Sequence, residues 1–347
     1  MAAHKIAVLV AGSWGTALAS VLADNGHDVY LWSRHEKQAK EINEKRENSQ
    51  YLPGVRLPEH LRATSSLEEA VSGADMVVIV APSSAMGEVT SRMSPYVGEK
   101  TVIVHASKGF EEGTMRRMTE VILGHLPATY HSQVAVLSGP SHAEEVVRKC
   151  PTTVVVAAFK RETAEFVQQL FINSYFRVYT HPDVIGVEVG GALKNIIAIG
   201  SGLSDGLGFG DNAKAALLTR GLAEITRLGT AMGADPLTFS GLSGVGDLVV
   251  TCTSRHSRNW KAGYMLAQGK SMQEVLETMG MVVEGVKTTR SAYQLAHRYG
   301  VEMPITTQLY EVLFHDKDPR TAVEELMRRD RTREIEQWEV KRALDWT

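Results

Sequence analysis

A lysine within a run of small residues is the feature of this sequence best suited to chemistry. Residues 187–219 read VEVGGALKNIIAIGSGLSDGLGFGDNAKAALLT. Helical spacing places Val187, Lys194, Ala198 and Ser201 on one face, where Lys194 is the cation. Lost hydration would lower the pKa of this lysine, so Lys194 could act as a base near neutral pH. The alternative is a core helix with a snorkelling lysine.

The same run is rich in glycine. Glycine within a helix costs about 1 kcal/mol relative to alanine, and residues 200–210 contain five of them. We therefore expect the helix to end near Ser201 and the backbone beyond it to bend around another group. The small side chains would let another backbone or a flat ligand come close.

A second candidate site begins at Ser257. This serine is a good helix cap, and Arg255 and Arg258 lie beside the helix start that it predicts. Unpaired N–H groups and arginines together favour a phosphate group, although solvated arginines on an ordinary capped helix are the alternative. Just upstream, the glycines of residues 241–246 predict a tight turn leading into Asp247.

Polar residues also follow two predicted strands. Lys108 comes after residues 101–106, and Ser141 comes after residues 134–137. Ligands of open parallel sheets lie beyond the carboxyl ends of the strands, so both positions suit a ligand contact. A lysine in a surface turn is the alternative reading of Lys108.

The amino-terminal segment predicts a dinucleotide-binding βαβ unit. The apolar strand of residues 5–10 leads into Gly12-Ser13-Trp14-Gly15, and N–H groups at this helix start would face a pyrophosphate. The G-x-G-x-x-G fingerprint reads VAGSWG here, with Val10 at its first glycine. A β-branched residue tolerates few backbone conformations, so we expect Val10 to weaken cofactor binding without abolishing it. The alternative is an α/β unit that binds no nucleotide.

The end of the second predicted strand concerns the choice of cofactor. An acidic residue there would hydrogen-bond a ribose hydroxyl, but the sequence reads Ser33-Arg34-His35. Arg34 would favour a 2′-phosphate through charge-assisted hydrogen bonds. The sequence therefore predicts NADP use or dual use with NAD, and an exposed arginine at a helix start is the alternative.

Strands and helices alternate up to about Pro182, after which helical periodicity dominates. This order predicts an α/β Rossmann-like N-terminal domain, with a doubly wound, mostly parallel sheet, and an all-α C-terminal domain. We assign residues 1–186 to the first domain, 187–335 to the second and 336–347 to a C-terminal tail.

The amino-acid composition and net charge argue against some classes of protein. The 347 residues carry a net charge of −3, are 44% hydrophobic and 22% charged, and include two cysteines. This balance argues against a general nucleic-acid binder, and two cysteines without a framework suggest reduced thiols and a cytoplasmic protein. We also expect no signal peptide, no membrane insertion and no metal site, because no apolar run or metal-ligand spacing predicts them.

Seven motifs in order resemble the bacterial NAD(P)-dependent glycerol-3-phosphate dehydrogenases over about residues 6–328: AGSWGTALA, HASKGFE, SGPSHAEEV, EVGGALKNIIAIGSGLSDGL, GLSGVGDLVVTCTS, SRNW and VVEGVKTT. The resemblance implies interconversion of dihydroxyacetone phosphate and sn-glycerol 3-phosphate with NAD(P)H, a supply of glycerol 3-phosphate for phospholipid synthesis, and a homodimer. Val10 departs from the family, which carries glycine there.

The resemblance also implies roles for single residues. Lys194 would be the general acid/base. Lys108 would add positive potential beside the reacting oxygen and would contact both the cofactor and the substrate. Cofactor contacts would come from Ser13, Trp14, Arg34, His35, Lys108, Ala143, Arg258, Val282 and Glu284. Substrate contacts would come from Lys108, Gly139, Ser141, Lys194, Asp247, Ser257, Arg258 and Asn259.

Two alternatives remain open from the sequence. One is a related two-domain dehydrogenase of hydroxy acids, whose substrate carries a carboxylate in place of a phosphate. The other is a dinucleotide sensor without catalysis, suggested by Val10. The joint presence of Lys108, Lys194, Asp247 and Arg258 argues against a sensor, which has no need for this set.

Overall fold

A computed structural model describes residues 3–279 and 283–330, and these fall into two compact units. The first, called here the sheet unit, comprises the described residues up to Ser107 together with Arg116–Val184. The second, called the helical unit, comprises Lys108–Met115 and the described residues from Ile185 onward. Lys108–Met115 follow a strand of the sheet unit in the chain but belong to the helical unit, and we call this segment the excursion. Lys108 therefore lies in the helical unit.

The sheet unit is built on one eight-stranded sheet with the order β3-β2-β1-β4-β5-β6-β7-β8. All neighbouring strands pair in parallel except β6 and β7, which are antiparallel. The strands are β1 (Lys5–Leu9), β2 (Asp28–Trp32), β3 (Leu61–Thr64), β4 (Met76–Ile79), β5 (Val102–His105), β6 (Val134–Ser138), β7 (Thr152–Ala158) and β8 (Phe176–His181). The predicted mostly parallel sheet is confirmed.

Helices cover the sheet and bury its aliphatic strands. They are α1 (Ser13–Asp24), α2 (Glu36–Lys45), α3 (Leu67–Val71), α4 (Met86–Met93), α5 (Met118–Leu123), α6 (Ala143–Val146) and α7 (Arg161–Phe171). Ser66 caps α3 by accepting a hydrogen bond from the N–H of Glu69 at 3.2 Å. The strand β3 is absent from the sequence prediction, because its four residues include the exposed Arg62 and form no long apolar run.

The helical unit contains α8 (Val184–Leu207), α9 (Gly210–Ala231), α10 (Asp247–Thr253), α11 (Arg258–Ala267), α12 (Met272–Met279), α13 (Glu284–Tyr299), α14 (Pro304–Phe314) and α15 (Pro319–Met327). The change to helices after about Pro182 is therefore as predicted. The predicted glycine turn before Asp247 takes the form of a π-helical turn, Leu242–Gly246. It leads directly into α10, so that Asp247 starts a helix.

The expected helix end near Ser201 is wrong, because α8 continues to Leu207, and the chain bends only at Gly208 and Gly210, whose φ values are +74° and +81°. A Cβ atom on Gly202 would lie 1.9 Å from the carbonyl oxygen of Trp260 in α11. A Cβ atom on Gly263 would in turn lie 2.0 Å from the carbonyl oxygen of Ile199. The missing side chains let the backbones of α8 and α11 touch, and this contact offsets the helix propensity that glycine loses.

By length and composition alone, α8 could cross a membrane: an 18-residue window of it has a mean hydropathy of 1.4. That window is 94% buried inside the protein. A helix that is apolar on every side and covered on every side is the core helix of its unit. Lys194 lies in the middle of it.

Candidate functional site

Lys194 lies in the interior of the helical unit, with its side chain 6% exposed. Its Nζ donates to Oδ1 of Asp247 and to Oγ1 of Thr251, each at 2.5 Å. Asp247 and Thr251 are one turn apart on α10, so both present oxygens to the same ammonium group. The snorkelling alternative does not hold, because the charged end of this lysine lies in the interior.

Lys108 approaches the same carboxylate from the excursion into the helical unit. Its Nζ donates to Oδ2 of Asp247 at 2.5 Å, and its side chain is 21% exposed. Asp247 is itself 1% exposed, and each of its two carboxylate oxygens accepts a hydrogen bond from one of the lysines. The surface-turn reading of Lys108 is therefore wrong, and the two lysines are held on one buried acid.

The electrostatics of this cluster follow from burial and charge. Burial lowers the pKa of Lys194 to about 8, the charge of Asp247 opposes this shift, and Lys108 adds to it. Burial alone would raise the pKa of Asp247, but Lys108 and Lys194 outweigh it, so that this pKa lies below its usual value. Asp247 therefore stays ionised while Lys194 can gain and lose a proton near neutral pH.

The start of α11 contains the candidate phosphate site. Ser257 caps the helix by accepting a hydrogen bond from the N–H of Trp260 at 3.2 Å, as predicted. Arg258 and Asn259 are the first two helical residues, and no acidic residue occupies the first turn. An anion is favoured at such a helix start by the dipole and by the arginine. The buried amide of Asn259 also bonds to Asn195 and to the N–H of Gly285.

Glu284 is the first residue of α13 and is partly buried. Its neighbour Gly285 is buried and joins the start of α13 to Asn259. Val282, the other predicted cofactor contact in this region, lies outside the described residues. Their contacts with a dinucleotide stay predictions.

In the sheet unit, Ser13 and Trp14 begin α1 directly after the strand β1. The cap position, Gly12, has no side chain, and the first turn carries no acidic residue. A Cβ atom on Gly12 would meet no atom within 4 Å, so there is open space beside these N–H groups. This helix start fits a pyrophosphate, because unpaired N–H groups and the helix dipole both favour an anion.

Val10, the departure from the fingerprint, has a φ of +81°. Its N–H donates to the carbonyl of Trp32 at 3.0 Å, and its own carbonyl accepts from the N–H of Gly12 at 2.9 Å. A Cβ atom on Gly15 would lie 2.2 Å from that carbonyl oxygen. The backbone therefore makes the turn that suits glycine, and a β-branched residue is strained there.

We expect Val10→Gly to raise the free energy of unfolding by about 1 kcal/mol and to tighten dinucleotide binding severalfold. A non-glycine residue in this conformation costs about 1–3 kcal/mol, and the loss of the partly buried valine offsets part of that gain. Denaturant unfolding and fluorescence titration with NADPH measure the two effects. Asp316 is exposed and has a φ of +52°, which aspartate tolerates far better than valine tolerates +81°, so Asp316→Gly is a control that should leave the dinucleotide affinity unchanged. Unchanged affinity in Val10→Gly would contradict the role of Val10.

Arg34 and His35 lie just beyond the end of β2, and both are exposed. The Nε of Arg34 donates to Nε2 of His35 at 3.0 Å. Ser33, which is buried, anchors this corner through its N–H to the carbonyl of Thr64 at 2.9 Å. The positive charge of Arg34 is thus presented at the strand end beside His35, as a 2′-phosphate would need.

Gly139, Ser141 and Ala143 follow the strand β6. The hydroxyl of Ser141 donates to the carbonyl of Gly139 at 3.0 Å, and Ala143 is the first residue of α6. All three belong to the sheet unit. The structure thus groups them at one strand end, and their contacts with ligands stay predictions.

Sequence reasoning missed Thr251 and gave Asn195 no role. Thr251 bonds directly to Lys194, and its position four residues after Asp247 on one helix is the signal that could have identified it. Asn195 is 5% exposed and bonds to Asn259. Within residues 3–279 and 283–330, no group of three or more His, Cys, Asp or Glu residues could hold a metal ion.

A mostly parallel sheet with a glycine-rich turn, and a helical unit with a buried lysine of lowered pKa, define a nicotinamide-dependent dehydrogenase of two domains. The family model described as NAD-dependent glycerol-3-phosphate dehydrogenase N-terminus matches residues 5–164, and the one described as its C-terminus matches residues 183–324. The chain belongs to the NAD-dependent glycerol-3-phosphate dehydrogenase family.

Individual relatives agree with this assignment. The glycerol-3-phosphate dehydrogenase (NAD(P)+) of Bacillus anthracis is 60% identical over 332 residues, which are 96% of this chain and 98% of the relative. That of Lysinibacillus sphaericus is 56% identical over 334 residues, 96% of this chain and 99% of the relative. The crystal structure of glycerol-3-phosphate dehydrogenase from Coxiella burnetii superposes with a TM-score of 0.88 at 42% identity, covering 94% of this chain and 99% of that chain.

Proposed function

We propose that this protein interconverts dihydroxyacetone phosphate and sn-glycerol 3-phosphate with NAD(P)H. The observation that carries the proposal is the buried cluster in which Lys194 and Lys108 share Asp247. Reduction of a ketone builds negative charge on its oxygen, and protonated Lys194 can hydrogen-bond that oxygen and supply the proton. In the oxidative direction, neutral Lys194 removes the proton of the hydroxyl.

The other residues bind and orient. Lys108 adds positive potential where the oxygen becomes charged, which stabilises the transition state more than the ground state. Arg258 and the start of α11 hold the phosphate, which limits the positions that the reacting carbon can take. Asp247 keeps both lysines in place and offsets part of their charge. Gly139 and Ser141 complete the substrate contacts.

NAD or NADP supplies the hydride chemistry when bound. The start of α1, with Ser13 and Trp14, binds its pyrophosphate, and Arg34 and His35 meet the adenosine ribose or its 2′-phosphate. Ala143, Arg258 and Glu284 provide further contacts. The exposed arginine after β2 favours NADPH without excluding NADH.

A spectrophotometric assay of NADPH loss with dihydroxyacetone phosphate tests this function. We expect saturable turnover, and competition by inorganic phosphate, because the proposed anchor binds a phosphate. Pyruvate and 2-ketopantoate, which carry carboxylates, should be poor substrates. Turnover of these acids without turnover of dihydroxyacetone phosphate would instead support a hydroxy-acid dehydrogenase, and dinucleotide binding without any turnover would support a sensor.

The pH profiles of the two directions should be mirror images. Because the pKa of Lys194 lies at about 8, the neutral form needed for oxidation accumulates above that pH and the protonated form needed for reduction below it. We expect kcat/KM to rise with pH in the oxidative direction and to fall in the reductive direction. Rates measured from about pH 6.5 to about pH 9.5 check this. Profiles that change in the same direction would contradict it.

Cys150 and Cys252 form no disulfide, which supports a reaction in the cytoplasm, where thiols stay reduced. Its product, glycerol 3-phosphate, carries the backbone of phospholipids, so the enzyme would supply their synthesis. Depletion of the protein in its host should then lower glycerol 3-phosphate and slow phospholipid labelling, and added glycerol 3-phosphate should restore it.

The enzyme works as a homodimer through the helical unit. The described residues of α9 before Gly221 include no buried residue, although they contain two leucines and several alanines. They border a mostly apolar groove of about 430 Å³ that α8, α14 and α15 complete. Exposed or partly exposed charges of both signs lie along the groove, so two copies of this surface need not repel each other: Arg220, Arg227, Arg329, Glu302 and Asp330.

Ala216 is exposed and lines this groove, whereas its neighbour Ala215 is exposed and does not line it. We expect Ala216→Glu to shift the mass in analytical ultracentrifugation from dimer toward monomer, because a charge would be buried at the interface. Ala215→Glu on the same helix should stay dimeric. A wild-type chain that sediments as a monomer would overturn the homodimer.

A further inference from the structure

Three helix segments of the helical unit meet at one chain of hydrogen bonds. Nδ2 of Asn259 in α11 donates to Oδ1 of Asn195 in α8 at 2.9 Å. The N–H of Gly285 in α13 donates to Oδ1 of Asn259, also at 2.9 Å. All three residues are buried. We call this chain the Asn195–Asn259–Gly285 tie.

The direction of the tie is determined by its chemistry. The N–H of Gly285 can only donate, so the atom of Asn259 that faces it must be the oxygen. The amide nitrogen of Asn259 is then the atom that faces Asn195, whose oxygen accepts. A rotated amide in Asn259 would place donor against donor at one end and acceptor against acceptor at the other, and buried polar groups without partners are costly.

The packing leaves little room for the tie to move. A Cβ atom on Gly285 would lie 2.6 Å from the carbonyl oxygen of Asn195 and 2.8 Å from Oδ1 of Asn259. The start of α13 is therefore in close contact with both α8 and α11. A shift of any one helix would break a hydrogen bond or produce a steric clash.

Each member of the tie directly follows a residue of the proposed site. Lys194, the acid/base, precedes Asn195. Arg258, which the proposed function places on the phosphate, precedes Asn259. Glu284, which it places on the dinucleotide, precedes Gly285. The tie thus connects the backbone positions of three groups that must act on two different ligands.

We propose that Asn195 is a positioning residue: through Asn259 and the N–H of Gly285, it holds the phosphate-binding and dinucleotide-binding helix starts in place relative to Lys194. This inference rests on the proposed function. It requires no contact between Asn195 and either ligand. Its consequence is that the affinities for substrate and dinucleotide depend on one buried amide.

The test compares three variants of the full-length enzyme. Asn195→Ala removes the acceptor, and we expect the KM for glycerol 3-phosphate and the Kd for NADPH both to rise about five- to tenfold. At saturation, kcat should change less than about threefold, and the pH midpoint near 8 should persist, because Lys194 and Asp247 remain. Asn195→Asp keeps an oxygen in the accepting position and should bind both ligands more tightly than Asn195→Ala, while its buried charge keeps both affinities below wild type.

Asn25 provides the matched control. It accepts a hydrogen bond from Nδ2 of Asn173 at the same 2.9 Å, but within the sheet unit and at the far end of α1 from the fingerprint. Asn25→Ala should lose stability without a change in KM. If Asn195→Ala does not fold, the recovery in Asn195→Asp still tests the tie.

Unchanged affinities in Asn195→Ala, or a loss of kcat with both affinities preserved, would overturn the positioning role. So would an Asn195→Asp variant as weak in binding as Asn195→Ala. A failure of the proposed function is seen separately, because the wild-type protein would then bind NADPH in the fluorescence titration without reducing dihydroxyacetone phosphate.

Discussion

Lys194→Ala is expected to lower kcat by about 10²–10⁴-fold while the Kd for NADPH stays within about twofold of wild type. The reason is that this amine is the group at the buried cluster that can exchange a proton near neutral pH, since burial lowers its pKa to about 8. The dinucleotide is assigned mainly to the sheet unit, so its affinity should survive. Steady-state kinetics and fluorescence titration measure the two quantities.

Lys214 offers a matched control for this substitution. It also pairs with an aspartate in the helical unit, Asp205 at 2.6 Å, but its side chain is 23% exposed. Lys214→Ala removes the same number of atoms and a similar ion pair, so it should leave kcat near wild type. Near wild-type turnover in Lys194→Ala would rule out the acid/base role. An equal loss in both variants would show that the effect is one of folding.

Asp247→Asn should affect stability and catalysis together. Asp247 is 1% exposed and accepts from both Lys108 and Lys194, so asparagine removes the charge that both lysines share. Removing one partner of a buried ion pair costs about 3–5 kcal/mol. We expect the free energy of unfolding at neutral pH to fall by about 3 kcal/mol, measured by denaturant titration.

The catalytic effect of Asp247→Asn should appear as a shift in the pH profiles of both directions. The attraction of Asp247 opposes the lowering of the pKa of Lys194, so its loss lowers that pKa further and favours neutral lysine at pH 7. The pH midpoints of reduction and oxidation should therefore both move below 8, because both depend on the same lysine. Rates measured in both directions from about pH 6.5 to about pH 9.5 check this, and midpoints that stay near 8 would contradict it.

Glu112 allows a comparison with an exposed acid. It faces Lys287 at 3.3 Å and Arg290 at 4.0 Å, but its side chain is 58% exposed. Glu112→Gln should cost less than about 1 kcal/mol, because exposed ion pairs are weak and screened. Equal stability losses in Glu112→Gln and Asp247→Asn would show that burial of Asp247 has no special effect.

Much of the fold could be predicted from local sequence. Apolar runs such as residues 134–137 and 152–158 mark buried strands, since a strand covered on both faces is apolar throughout. Helix caps can be predicted from sequence equally well, because Ser66 and Ser257 accept hydrogen bonds from N–H groups only three residues away. The family itself is recognisable from the order of its motifs.

Other features escaped sequence reasoning because competing effects decide them. Glycines weaken an isolated helix, so the sequence predicts that α8 ends near Ser201, six residues before its actual end at Leu207. In the folded chain, Gly202 and Gly263 allow α8 and α11 to touch, and the close packing outweighs the lost propensity. Similarly, the glycines before Asp247 form a π-helical turn that continues a helix.

The sequence by itself determined which chemistry is available: a lysine among small residues, a second lysine after a strand, a glycine-rich turn with Val10 in it, and a capped helix beside arginines. Only the tertiary structure decided that Lys108 and Lys194, which lie 139 and 53 residues from Asp247, share its carboxylate. Periodicity reports neighbours within a few positions on one element, whereas a shared buried charge depends on how separate elements pack. The lowered pKa of Lys194 has the same origin, because desolvation is a property of the folded interior.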